Sequence, residues 1–152
     1  MNENELKWHK RFMSLAKHVA TWSKDPSTRV GAIITDNNII VSSGYNGFPQ
    51  KMSDDPELYN NREEKYSRVV HGEINAILFA NRPVKDCTLY TWPFAPCDRC
   101  CVICIQAGIK HFVFPEPTED LLSRWGTALE KSKSFMREAG CTYTELIASE
   151  IE

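Results

Sequence analysis

No apolar run in this 152-residue sequence reaches the roughly 20 residues that a membrane-spanning helix requires, so no membrane association of that kind is expected. Neither sign of charge dominates. Eighteen Lys and Arg face 20 Asp and Glu, for a formal net charge of −2. A dedicated nucleic-acid binder usually carries a basic surplus or stripe, so no nucleic-acid partner is expected, although a local basic pocket for one phosphate is compatible with this balance. Internal repeats, low-complexity tracts and linkers are absent, which predicts one domain over residues 1–152. The segment Met1-Asn2-Glu3-Asn4-Glu5 is polar and acidic with no apolar stretch behind it, unlike a secretory signal, and a cytoplasmic location is expected. Between Thr35 and Val70 there is neither Cys nor His, which leaves that stretch without soft metal ligands.

What is present is an ordinary globular composition, 42% hydrophobic and 25% charged, in a chain long enough to bury a sizeable core. Six cysteines in such a chain point to metal binding or burial before disulfides. Cys97, Cys100, Cys101 and Cys104 crowd together, while Cys87 and Cys141 lie in apolar stretches and read as buried small residues.

Leu6, Phe12, Leu15, Ala16, Val19 and Ala20 fall near one face of a helix over 6–22, which Asp25-Pro26 closes. Residues 29–35 and 39–43 read as strands of a hairpin around Asp36-Asn37-Asn38. The stretch 44–65 lacks periodicity and reads as a long, functional loop. Helices are predicted over 69–81, 97–107 and 121–139, and strands over 87–92, 111–114 and 142–147. In the last helix, Trp125 and Phe135 fit either a core or an interface. Strands alternating with helices predict an α/β fold, a three-layer α/β/α sandwich around a mixed five-stranded sheet.

The chemistry concentrates in His71-Gly72-Glu73 and Pro96-Cys97-Asp98-Arg99-Cys100. Both segments open predicted helices, where free N–H groups and the macrodipole stabilise anionic ligands. Cys97 and Cys100 are three apart and share a helix face, as two sulfurs gripping one ion must. Pro96 suits a helix start. His71, Cys97 and Cys100 therefore read as three zinc ligands with the fourth position open, and Glu73 as a carboxylate beside them that is not a ligand. This order of residues, His-x-Glu followed by Pro-Cys-x-x-Cys, is the signature of zinc-dependent nucleobase deaminases. Zinc makes hydroxide available near neutral pH, and Glu73 would carry the proton while water displaces an exocyclic amine as ammonia.

Blander readings exist. Four sulfurs within eight residues of one helix cannot easily surround an ion, so Cys101 and Cys104 are expected to pack with Val102, Ile103 and Ile105. His9, His18 and His111 belong to no motif and read as helix-surface or strand-end residues. Glu73 alone would pass for a first-turn helix acid, but a purely structural zinc site has no need of it.

Beyond the zinc motif, the chain resembles the deoxycytidylate (dCMP) deaminase family of the cytidine deaminase-like superfamily. The resemblance rests on Ser23-Lys24-Asp25-Pro26-Ser27-Thr28-Arg29-Val30-Gly31-Ala32, Gly44-Tyr45-Asn46-Gly47-Phe48-Pro49, Lys65-Tyr66, Val70-His71-Gly72-Glu73-Ile74-Asn75-Ala76-Ile77 and Ile105-Gln106-Ala107-Gly108-Ile109-Lys110. It implies conversion of dCMP to dUMP and a homo-oligomer, a hexamer being favoured. Some members carry a second, structural zinc near the loop that begins at Gly44, but with neither Cys nor His between Thr35 and Val70 one zinc per chain is expected here. It further implies that Asn46 meets the sugar hydroxyl, that Ser23 and Lys24 stand on the phosphate side, and that Phe94 packs against the base. Asn46 as a turn residue, Lys24 as an exposed helix-end cation and Phe94 as core are the alternatives.

The family often continues its loop as Gly-Cys-Ser-Asp-Asp, tied to control by dCTP and dTTP. Here Lys51-Met52 replace Gly-Cys and Ser53, Asp54 and Asp55 remain, so the loop Gly44, Tyr45, Asn46, Gly47, Ser53, Asp54 and Asp55 is open to retained or lost effector binding, with Mg2+ accompanying such an effector. Gly72 stands where the family usually has Ala, and Trp92-Pro93-Phe94-Ala95 is about one residue longer than the family pattern. A deaminase of another cytosine compound or nucleobase, and a catalytically silent zinc module, are the competing readings.

Overall fold

The computed structural model describes residues 1–151. Asn2 opens α1 (Glu3–Ala20) with a capping box, accepting from Glu5 N at 2.8 Å while Glu5 Oε2 accepts from Asn2 N at 3.1 Å. A hairpin follows, formed by β1 (Gly31–Asp36) and β2 (Ile39–Tyr45). Its turn residues Asn37 and Asn38 both adopt positive φ, 50° and 64°, which Asn tolerates and tight hairpins require. The chain continues through α2 (Pro56–Asn60), α3 (Arg62–Arg68), α4 (Gly72–Leu78), β3 (Thr88–Trp92), α5 (Asp98–Ala107), β4 (His111–Pro115), α6 (Glu119–Glu138) and β5 (Thr142–Leu146), and a short 3-10 turn closes it at Ala148–Glu150.

The strands form one mixed sheet in the order β2-β1-β3-β4-β5. β1 is antiparallel to both neighbours, whereas β3, β4 and β5 run parallel and are joined by the crossover helices α5 and α6. Alternation along each strand sorts side chains to two faces. Ile33, Tyr90 and Val113 meet Phe12, Met13, Ala16 and Val19 of α1. Ala32, Ile34, Leu89, Phe112 and Phe114 meet Ala76 of α4, Cys101 and Cys104 of α5, and Leu129 and Met136 of α6. The three-layer α/β/α sandwich read from the sequence is the observed fold.

Some local expectations change. The stretch 44–65 is not one structureless loop. Asp55 caps α2 ahead of Pro56, Asn61 caps α3, and buried Tyr59 anchors the pair, its ring stacked on Phe48 at 3.9 Å. Helices of five and seven residues are too short to show hydrophobic periodicity, so their caps were the visible signal. Cys87, Cys101 and Cys104 are buried as expected, but Cys141 is only partly buried, and Val102 and Ile103 on α5 face outward. His9 and His111 are not isolated surface residues. Their rings stack at 5.8 Å between α1 and the sheet, His9 Nδ1 lies 2.8 Å from the Tyr90 hydroxyl, and His111 bonds the hydroxyls of Thr142 and Thr144 at 2.6 and 2.9 Å.

Two glycines set the spacing of the layers. A methyl at Gly31 would enter the backbone of α1 at Ala16, and one at Gly44 would collide with the backbone of Gly72 and Ala76 in α4. Both helices thus lie directly on strand backbone. Gly44→Ala should cost about 1–3 kcal/mol by overpacking, read as a fall in Tm of roughly 2–12 °C for a domain of this size. An unchanged Tm would show that α4 does not depend on this approach.

Burial lowers the pKa of His9 and of His111, opposed by Glu5, and His9 lowers His111 further. A histidine whose folded pKa is depressed adds stability above its ordinary value near 6.5, and that stability drains as pH falls toward the folded values. Thermal stability should therefore decline below about pH 6.5, and the decline should be shallower in His111→Gln. Parallel pH profiles for the two proteins would remove the histidine pair as its cause.

Candidate metal centre and cleft

At one end of the sheet, Gly31 at the start of β1 pairs with Tyr45 at the end of β2 and with Trp92 at the end of β3. Three loops therefore leave the sheet side by side: 23–30, 46–55 and 93–97. The second is strapped to α4. Gly47 and Val70 exchange backbone hydrogen bonds at 3.1 and 2.8 Å, and Asn75 Nδ2 donates to Tyr45 O at 2.8 Å. This fixes the start of α4 beside the start of α5.

His71 and Cys97 are the N-cap residues of these two helices. The His71 side chain makes no capping bond, which leaves its ring free to turn inward. Its Nδ1 lies 3.8 Å from Cys97 Sγ and 3.0 Å from Cys100 Sγ. Cys97 Sγ accepts from Cys100 N at 3.4 Å, as an anionic cap does. Ligand atoms of His71, Glu73, Cys97 and Cys100 all lie within 4.8 Å of one another, the one such metal-capable cluster among the described residues. A tetrahedral zinc with nitrogen at ~2.0 Å and sulfur at ~2.3 Å holds its donors roughly 3.5–3.8 Å apart. The separations here bracket that range, and an imidazole with two thiols is a zinc donor set, so these residues fit the ion.

The electrostatics agree. The Cys97 thiol is pushed down to about 4, first by a hydrogen bond from the Cys100 thiol, then by His71 and by the Cys100 N–H. Cys100 moves up as it keeps the proton that Cys97 gives up. His71 is raised by its bond to Cys97. The Glu73 carboxyl is raised because it is buried, at 3% exposure, with its Oε1 3.8 Å from His71 Nδ1.

These groups open into a cleft of about 380 Å³. Its polar lining includes Asp25, Ser27, Thr28, Asn46 and Lys65; its apolar and aromatic lining comes from Val30, Tyr66, Val69, Phe94, Ala95 and residues of α6, among them Leu121 and Trp125. Of the residues singled out in the sequence, His71, Glu73, Cys97, Asn46 and Phe94 line it together. Asn46 is buried with its amide engaged: Oδ1 accepts from Val30 N at 2.8 Å, and Nδ2 donates to Thr28 O at 2.9 Å and to Asp25 at 3.3 Å.

Ser23 and Lys24 stand outside the cleft lining. Ser23 is buried and donates to Asn46 O at 2.8 Å, while Lys24 is exposed and pairs with Asp54 at 2.8 Å. In the loop, Ser53 Oγ accepts from Asp55 N, Asp55 caps α2 and Asp54 pairs with Lys24, and none of the three lines the cleft. Sequence reasoning gave no role to the ion pair of Lys65 with Asp25, 2.8 Å long and nearly buried. Asp25 had shown only as a turn residue, and the two are 40 positions apart.

A family model described as the cytidine and deoxycytidylate deaminase zinc-binding region matches residues 6–116. The chain is 47% identical over 140 residues to an uncharacterized deaminase in the luxG 3' region of Aliivibrio fischeri, covering 92% of this chain and 94% of that protein. It is 37% identical over 148 residues to a probable deoxycytidylate deaminase of Caenorhabditis elegans, covering 94% and 72% respectively. In structure it is similar to the dCMP deaminase of cyanophage S-TIM5 in complex with dCMP and dUMP, with a TM-score of 0.70 over 96% of this chain and 99% of that one. At 21% identity that last likeness concerns the fold.

Removing one donor should empty the centre. Cys97→Ala and His71→Ala are each expected to lose zinc from about one ion per chain, measured by metal analysis of the purified protein. Full occupancy in either variant would rule out that side chain as a ligand.

Proposed function

The chain belongs to the cytidine and deoxycytidylate deaminase family, and on that premise we propose that it hydrolyses dCMP to dUMP and ammonia, supplying dUMP for thymidylate synthesis. The observation that carries this reading is a buried carboxylate, Glu73, beside a zinc-type donor set at the floor of a cleft of ligand size. Zinc held by His71, Cys97 and Cys100 would supply Lewis acidity and so make hydroxide available near neutral pH.

The protein's own residues then account for the proton traffic. Glu73 takes one proton from water and delivers it to the ring nitrogen beside C4, then takes the second from the hydroxyl now on C4 and delivers it to the exocyclic amine as that amine leaves. Burial raises its carboxyl, which makes it a better base than an exposed glutamate and a usable acid afterwards. Water adds an oxygen to C4, the C4–N bond breaks, and ammonia carries away the amine.

The polar lining supports a sugar phosphate at the other end. Asn46 is assigned beside the sugar, where the remaining lone pair of its Oδ1 can accept from a hydroxyl, while its three hydrogen bonds hold the 25–30 segment in shape. Lys65 is the lysine that lines the cleft, so the phosphate-side role passes to it from Ser23 and Lys24, with Ser27 and Thr28 as neighbours. Its ammonium has three donors, and Asp25 uses one of them. Assembly into a homo-oligomer is part of the same reading, supported by the exposed apolar side chains Leu78, Phe79, Val102 and Ile103.

A rate panel over dCMP, deoxycytidine and cytosine tests the substrate. dCMP should be turned over fastest, and reaction of the unphosphorylated compounds alone would overturn the nucleotide reading. In the same panel, Glu73→Gln should retain zinc while losing at least about 100-fold in kcat, the usual scale of general acid–base catalysis. A near-normal rate in that variant would show that the carboxylate does not carry the proton.

A further inference from the structure

Part of the apolar side of the cleft is built by α6, which begins at Glu119, outside the family-matched segment 6–116. Leu121, Trp125, Ala128 and Leu129 line the cleft, and their spacings of four, three and one place them on one stripe of the helix. Their burial differs. Leu129 is 8% exposed and belongs to the core, and Leu121 packs against that core. Trp125 is 56% exposed.

The other three tryptophans each have a ring or a cation against them. Trp8 stacks on Phe12, Trp22 meets Tyr45 and His18 edge-on, and Lys17 lies over Trp92. Trp125 has no ring, cation or hydrogen-bond partner among the described residues. A flat apolar surface at the rim of a cleft whose floor holds the reactive groups is suited to the face of a planar ring, because every base has a π-face that an aromatic side chain can cover.

We propose that Trp125 is a substrate-contacting residue that covers the face of the pyrimidine, so that α6 supplies the base-stacking surface while the family-matched segment supplies the reactive groups. The inference rests on the reading that a cytosine ring enters this cleft. Two other aromatic rings line the cleft: Phe94 is partly buried, a fixed contact, and Tyr66 is exposed but has Arg62 over its ring at 5.2 Å, which leaves Trp125 as the exposed ring without such a partner.

Titration calorimetry of the zinc-loaded protein with dUMP, which is not consumed, and steady-state kinetics with dCMP test the assignment. Trp125→Ala should raise the Kd for dUMP and the KM for dCMP by about tenfold, within the range seen for base–aromatic stacking, and change kcat much less. Trp125→Phe should recover most of the affinity. Zinc content and Tm should stay at the wild-type level in both variants, since the side chain is exposed. Wild-type affinity in Trp125→Ala overturns the proposal, as does a loss of assembly mass with unchanged dUMP affinity, which would make Trp125 a contact between copies. Should the wild-type protein reject both dCMP and dUMP, the nucleotide reading fails by itself. The same comparison, made with the cytosine compound that the rate panel selects, then decides Trp125 by the same outcomes.

Discussion

The N-terminus of α4 rests on the backbone of β2 at Gly44, with no side chain between them. Most of what matters in this protein follows from that contact. It brings the start of α4 to the end of the sheet where Tyr45, Gly31 and Trp92 stand in register. The segment after β3 leaves the same end and turns into α5 at Cys97. Two helix starts thus face one small volume. A bulkier residue at 44 would push His71 and Glu73 away from Cys97 and Cys100, and donor separations of 3–4 Å leave little room for such a shift.

The same arrangement explains the electrostatics. Free N–H groups at helix starts favour negative charge, and the first turns here carry two thiols and a carboxylate. Cys97 gives up its proton readily because Cys100 donates to it from both its thiol and its backbone. Glu73, in the first turn of α4, is buried, and burial holds its proton more firmly. Two acidic groups in one cluster are driven in opposite directions by their surroundings. One is suited to binding a cation and the other to moving a proton.

The centre was legible in the sequence because its chemistry is local. His71 and Glu73 are two residues apart, Cys97 and Cys100 three, and each pair sits at a helix start marked by its own signals. The alternation of strands and helices was legible for the same reason. What escaped is what depends on distance along the chain. Lys65 and Asp25 pair across 40 positions, and His9 meets His111 only because α1 packs over β4. Helices α2 and α3 were too short to leave a periodic trace. Ser23 and Lys24 follow α1 directly, yet the turn buries one and points the other toward Asp54, so neither lines the cleft.

By itself the sequence determined the set His71, Glu73, Cys97 and Cys100 and the layered α/β architecture, since residue type and short spacing encode each of these. Tertiary structure decided the shape of the space around them. The sheet register placed Asn46, Thr28 and Phe94 at one opening, and α6, a helix whose Trp125 fitted a core or an interface equally well in the sequence, came to rest along its apolar side. The reason is geometric: a ligand's identity is a property of neighbouring residues, but a cleft is enclosed by segments a hundred residues apart, and only packing tells which of them meet.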